Sequence, residues 1–279
     1  MPGIFLSKER DSQKLLVIDG QQRLRTLEYF YRGIFANTEQ EFALKGVPSS
    51  FEGATYKSLA QDDRLRLDDS ILHATIVKQD EPSDDDSSVY HVFNRLNTGG
   101  MQLHPQEIRA CIYHGKFNDL LKKLNGTQEW RTVYGNVSSR MRDQELILRF
   151  LALFFNGANY EKPMKGFLNH YMGKNRRLRT KDALGETFEK TIAVIHNCLG
   201  SRAFKPRRQI SAAVYDAVMV GVARRLERGP IEDCEAVQKK YDALLKKKAF
   251  VDATETGTAG EENVSQRIRL ATEAFAEVE

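Results

Sequence analysis

Five consecutive residues near the start, Asp19-Gly20-Gln21-Gln22-Arg23, set a carboxylate, a glycine, two amides and a guanidinium directly after the apolar run Leu15 to Ile18. The run reads as a buried strand, and Leu24, Leu27, Tyr31 and Ile34 repeat at helical spacing beyond it, with Gly33 near the helix end. A strand running into a helix gathers unpaired backbone N–H groups at one spot, the arrangement that binds anions. Gly20 lets the backbone approach closely there, and Arg23 on the first turn could pair with phosphate oxygens. Asp19 repels a bare phosphate, so a chemical role for it requires a bridging divalent cation or a hydroxyl partner. The bland alternative is an Asp helix cap beside an exposed Arg, and five residues taken alone favour it.

A second polar cluster is Phe93-Asn94-Arg95-Leu96-Asn97-Thr98-Gly99-Gly100. Asn94 and Asn97 lie three apart and share a helical face, away from Phe93 and Leu96. Amides and an arginine beside a Gly-Gly turn can line a polar pocket, and can equally be a capped helix end. Pro105 suits a first helical position, and Glu107, three residues after His104, has capping-box spacing.

The elements that must position these residues divide into two styles. Residues 1–86 read as mixed α/β, with strands expected at Gly3 to Ser7, Leu15 to Ile18, Ile71 to Val77 and, more loosely, Glu41 to Val47. The acidic stretch Asp80 to Asp86 reads as a loop leading into a helix. Residues 87–279 read as helical almost throughout, with amphipathic segments at 89–96, 105–124, 143–156, 164–173, 181–199, 211–228, 231–249 and 263–277. No repeat recurs and no Pro/Gly/Ser-rich linker separates the parts. The expected fold is α+β, a small α/β part packed on a larger helical part.

Composition narrows the function classes. A 41% apolar and 29% charged chain is globular in balance. The longest apolar run, Leu146 to Phe155, is interrupted by Arg149 and is far too short to span a bilayer. The start shows no basic segment followed by an apolar one, so no secretory signal is expected. Cys111, Cys198 and Cys234 lie far apart in sequence and form no CxxC pair, which predicts reduced thiols in a cytoplasmic protein and no zinc site. Net charge is +4, with an acidic balance in residues 1–100 and a basic excess beyond. Clusters at Lys174 to Arg179, Lys205 to Arg208 and Arg224-Arg225 supply much of that excess. They could hold nucleic acid or polyphosphate, and each could also be a solvated helix surface.

Asp-Gly-Gln-Gln-Arg after a strand, followed some seventy residues later by Phe-x-Arg-x-Asn-x-x-Gly, resembles the N-terminal domain of GmrSD-type restriction enzymes, whose core is similar to the ParB/sulfiredoxin-like fold. Further stretches agree with it: Pro2 to Leu6, Leu103 to Arg109, and Gly257-Thr258 with Asn263-Val264 and Arg267-Ile268. The resemblance implies nucleoside triphosphate binding and hydrolysis that regulate DNA cleavage in phage defence. It implies a nucleotide pocket of Gly20, Gln21, Gln22, Arg23, Asn94, Arg95 and Asn97, with Asp19 and Arg23 in catalysis and Asp19 on a Mg²⁺ that accompanies the triphosphate. Implied partners are the nucleotide, DNA and an HNH nuclease chain; an oligomer is compatible, a membrane is not expected.

Three features depart from the family pattern. The upstream Gln-Arg segment usual in the family is not in this sequence, Arg25 stands where Thr is common, and His104 stands where Ser or Thr is common. The six histidines show no HNH spacing, and there is no Pro-Asp…Glu-x-Lys pattern, Walker A loop or HExxH, so no nuclease motif accompanies the domain. Two readings stand: an NTP-binding and NTP-hydrolysing regulatory or sensor module, and a non-enzymatic DNA-binding or protein-interaction module of the same fold. A sulfiredoxin-like redox enzyme is disfavoured because no cysteine lies near Arg23.

Overall fold

The computed structural model describes residues 3–8, 13–35, 40–77, 92, 103–178 and 181–278, with 181 and 182 described by their backbone alone. The fold is α+β: a three-stranded mixed sheet and, among the described residues, a large majority of helix. Two compact units divide the chain, the first holding the described residues up to 77 and the second those from 103 onward.

In the first unit, β1 (Ile4–Lys8) is the central strand. It pairs antiparallel with β2 (Leu15–Asp19) and parallel with β3 (Ala74–Val77). Ile4, Leu6 and Ile18 are buried, as period-two alternation requires of a half-buried sheet. The strand expected at Ile71 to Val77 is thus shorter, beginning at Ala74. The strand expected at Glu41 to Val47 reduces to one bridge between Ile34 and Glu41, because the segment instead folds back through bonds such as Leu44 N–H to Ala54 C=O. Helix α1 (Gln21–Arg32) ends at Gly33 in the left-handed conformation, as the sequence predicts. Helix α2 (Gln61–Asp68) has no clear apolar stripe, so periodicity does not reveal it. Its Asp68 accepts hydrogen bonds from Tyr31 and Tyr56, and Phe30 packs edge-on against Phe42 and Tyr56.

The second unit is a helical assembly of α3 (Pro105–Ile112), α4 (Lys116–Asn125), α5 (Gln128–Tyr134), α6 (Arg142–Asn156), α7 (Met164–Lys174), α8 (Lys181–Leu199), α9 (Ala212–Leu226), α10 (Cys234–Lys246), α11 (Lys248–Glu255) and α12 (Glu261–Phe275). The single helix expected over 105–124 is two, broken at Gly115, whose positive φ and close approach to the Arg176 backbone exclude a Cβ. The segment expected at 231–249 also ends earlier, at Lys246, and α11 follows it. His104 and Glu107 form the expected capping box around Pro105: the His104 ring accepts from Gln106 N–H and the Glu107 carboxylate from His104 N–H. The helix expected at 89–96 and the acidic loop at 80–86 lie outside the described residues, as does Arg179.

Helix α9 is buried from Ala213 to Ala223 and packs against α6, α8, α11 and α12. Gly221 allows the closest crossing, since a Cβ there would stand 2.8 Å from the Ala271 carbonyl carbon. The cysteines correct the sequence reading. Cys198 at the end of α8 and Cys234 at the start of α10 are joined by a disulfide with Cα atoms 4.7 Å apart, and only Cys111 is free. Separation in sequence says nothing about separation across a helical assembly, where the packing of α8 on α10 brings distant turns together.

Candidate functional site

Asp19 closes β2, Gly20 turns the chain, and Gln21 opens α1. Gly20, not Asp19, is the helix cap residue: it has φ 97° and ψ 9° and makes no side-chain cap bond. Its conformation is left-handed, and a Cβ would lie 2.5 Å from the Ile4 Cγ2 methyl, so both backbone and space require glycine. Leu24 N–H makes the helix's first i to i−4 bond, to the Gly20 carbonyl. The preceding N–H groups of the first turn have no intrahelical acceptor, and no acidic side chain occupies that turn.

The Asp helix cap is therefore replaced by an ion pair. Arg23 Nη2 donates to Asp19 Oδ2 at 2.5 Å and Nη1 donates to the Gly3 carbonyl at 2.7 Å. The planar fork of guanidinium thus spans the end of β2 and the approach to β1. Arg23 and Asp19 remain about a quarter and a third exposed in their side chains. Gln21 and Gln22 are exposed, and so is Arg25, which stands beside the first turn without entering the pair. The arrangement offers backbone N–H groups, two amides and one guanidinium on a water-accessible surface, with a single carboxylate already bonded to that guanidinium.

Asn94, Arg95 and Asn97 lie outside the described residues, so the pocket expected from the two motifs together has its first half on view. Among the described residues no group of three or more His, Cys, Asp and Glu could hold a metal ion. A Mg²⁺ at this turn would have Asp19 as its carboxylate and would depend on the phosphates of a nucleotide for its remaining charge balance.

The basic clusters of the second unit are largely engaged in holding it together. Arg176 donates to the His114 carbonyl, Lys205 to the carbonyls of Val133 and Ser201, and Arg225 to those of Val278 and Gly229. Arg224 lies over the Phe154 ring, 4.1 Å from its centroid, and donates to the Phe154 carbonyl. Arg207, mostly exposed, pairs with Glu255.

Sequence reading missed a charged network inside the second unit. Asp216 is fully buried on α9 and takes both a bidentate pair from Arg149 of α6 and a bond from fully buried Arg267 of α12. Burial opposes the Arg149 charge, but Asp216 outweighs it and holds the guanidinium above its ordinary pKa. Arg109, also buried, bonds Gln106, Asn169 and Glu145. A signal was present: Asp216 is the lone charge between Ala212 and Ala223, and Arg149 the lone charge between Leu146 and Phe155. A lone charge inside an apolar helix must find a partner of opposite sign.

Residues 1–114 match the family described as GmrSD restriction endonuclease, N-terminal domain. The match contains the whole Asp19 to Arg23 signature and ends just past α3, so it covers less than half of the chain; the Gly257 to Ile268 stretches lie beyond it. No curated protein and no solved structure matches the chain. Among the described residues no helix is long and apolar enough to cross a membrane.

Proposed function

We propose that this chain, which carries a domain of a restriction-endonuclease family over residues 1–114, is the nucleotide-binding regulatory module of a phage-defence restriction system in the cytoplasm. The observation that carries the reading is Arg23 at the start of α1, beside first-turn backbone N–H groups that have no side-chain cap and no acidic neighbour in that turn. A triphosphate has the charge and shape for that surface: phosphate oxygens accept from the first-turn N–H groups of Gln21 and Gln22 and from the Arg23 fork. Asp19 would then share a Mg²⁺ with the phosphates, a metal that offsets phosphate charge during hydrolysis. Asn94, Arg95 and Asn97 would complete the nucleotide pocket. Cutting of DNA would fall to the HNH nuclease that the resemblance implies.

The test is phosphate release by the purified chain from a panel of nucleoside triphosphates with Mg²⁺, with and without DNA. Metal-dependent release that DNA alters is the expected result. Absence of both release and nucleotide binding across the panel would defeat the reading. One observation favours the second reading, a non-enzymatic DNA-binding or protein-interaction module with a ParB-like core. Arg23 is already bonded to Asp19 and Gly3, as a purely structural arginine would be. Weak DNA binding that falls steeply with salt, without nucleotide binding, would establish that alternative.

A further inference from the structure

The Cys198–Cys234 pair lies outside everything the signature explains. Cys198 sits in the last turn of α8 and Cys234 in the first turn of α10, and both are only half-buried, within reach of small solutes. The bond closes a segment that holds the Lys205 to Arg208 loop and the whole of α9, including Asp216. Cys111 is exposed on α3, but desolvation by its neighbours and the nearby Glu107 hold its thiol above the ordinary pKa and so lower its thiolate fraction.

The elements that this bond joins are also held by packing. Val237, Tyr241 and Leu244 of α10 are buried, and Tyr241 Oη accepts from the Phe204 N–H. Around α9 the unit buries Trp130, Phe150, Phe188, Phe204 and Tyr215 almost completely, a core of the kind that small disulfide-dependent domains lack. A bond between elements that packing also holds, at a place small thiols can reach, is suited to being made and broken.

We propose that Cys198 and Cys234 are a reversible dithiol–disulfide pair whose oxidation by a low-molecular-weight disulfide of the glutathione class staples α8 to α10. One cysteine thiolate attacks the small disulfide, forming a mixed disulfide and expelling one small thiolate. The second cysteine, as thiolate, attacks the protein sulfur of that mixed disulfide and expels the other. Two protein thiols lose two electrons and two protons, and one small disulfide becomes two small thiols. Closing the segment restricts the unfolded chain, so the oxidised protein should melt higher by about 10 °C.

The experiment uses the full chain equilibrated in buffers of reduced and oxidised glutathione. Free thiols are capped, bonds are then reduced, and the released thiols are counted by a mass-shifting maleimide. The expected result is one two-electron transition involving two cysteines, present in Cys111→Ser and absent in Cys198→Ser and Cys234→Ser. Circular dichroism should show the same helical content in both redox states of the unaltered chain, with the oxidised state melting higher. Thiols that stay free in excess oxidised glutathione, pairing that includes Cys111, or equal melting temperatures would each overturn the proposal. So would unfolding on reduction, which would make the bond a permanent brace.

Discussion

Arg23 carries two jobs that pull apart under substitution. Its bonds to Asp19 and Gly3 join the end of β2 to the approach to β1, and under the proposed function the same fork is the cation offered to a phosphate. A charge-assisted bond of this type contributes roughly 1.5–3 kcal/mol, so Arg23→Ala should weaken triphosphate binding by about ten- to a hundredfold. Calorimetric titration beside a thermal melt separates the jobs: a lower melting temperature with unchanged affinity would make Arg23 structural only. Because Gly20 is the cap residue, Asp19→Asn costs no helix cap. It should impair Mg²⁺-dependent phosphate release more than nucleotide affinity, as read by release assays at saturating nucleotide. A different arithmetic governs Asp216. Asp216→Ala leaves Arg149 and buried Arg267 without their shared carboxylate. Stranding buried cations typically costs about 3–5 kcal/mol, a loss that urea denaturation would show as a lower midpoint.

At the scale of elements, α3 starts on an unusual cap. The His104 ring must be neutral at Nδ1 to accept from Gln106 N–H, and burial lowers its pKa from the ordinary 6.5, against the opposing pull of Glu145. A histidine whose folded pKa is lowered contributes stability above its unfolded pKa and loses it as pH falls through the folded value. Melting temperature should therefore drop below about pH 6.5, and His104→Ser, a cap that does not titrate, should flatten that part of the profile. The crossing of α9 and α12 depends on Gly221. In Gly221→Ala, overpacking against the Ala271 backbone costs roughly 1–3 kcal/mol, which outweighs the helix propensity gain of about 1 kcal/mol. Gly185→Ala is the control, since its Cβ would meet only Leu120 Cδ1 at 3.6 Å and the propensity gain should prevail. These elements show what sequence makes legible. Periodicity located α6, α7, α8, α9 and α12 to within a few residues, because each shows a continuous apolar face. It did not show α2, whose exposed surroundings impose no stripe, nor the break at Gly115, which is set by the approach of Arg176 from the turn after α7. The Asp19 to Arg23 turn was legible in place, but the Arg23 bond to the Gly3 carbonyl was not, because Gly3 is twenty residues away.

At the scale of the whole molecule, the charge asymmetry has an architectural reading. The basic excess of the second unit is drawn inward: Arg109, Arg149 and Arg267 are buried or nearly so, and Arg224, Arg225 and Lys205 cover carbonyls at helix and chain ends. Such a unit supplies its own counter-groups, so residues 103–279 expressed alone should fold, with a helical spectrum and a cooperative melt. A fragment that shows neither would mean that this core needs the preceding residues. The Arg149–Asp216–Arg267 network also equips the protein with a reporter. Guanidinium protons in water exchange too fast to be seen at neutral pH, but those on fully buried Arg267 are shielded by the packing of α9, α6 and α12. They should persist as isolated nitrogen-bound resonances far from the amide envelope, and their exchange rate would time the opening of the helical core as nucleotide, DNA or a small disulfide is added.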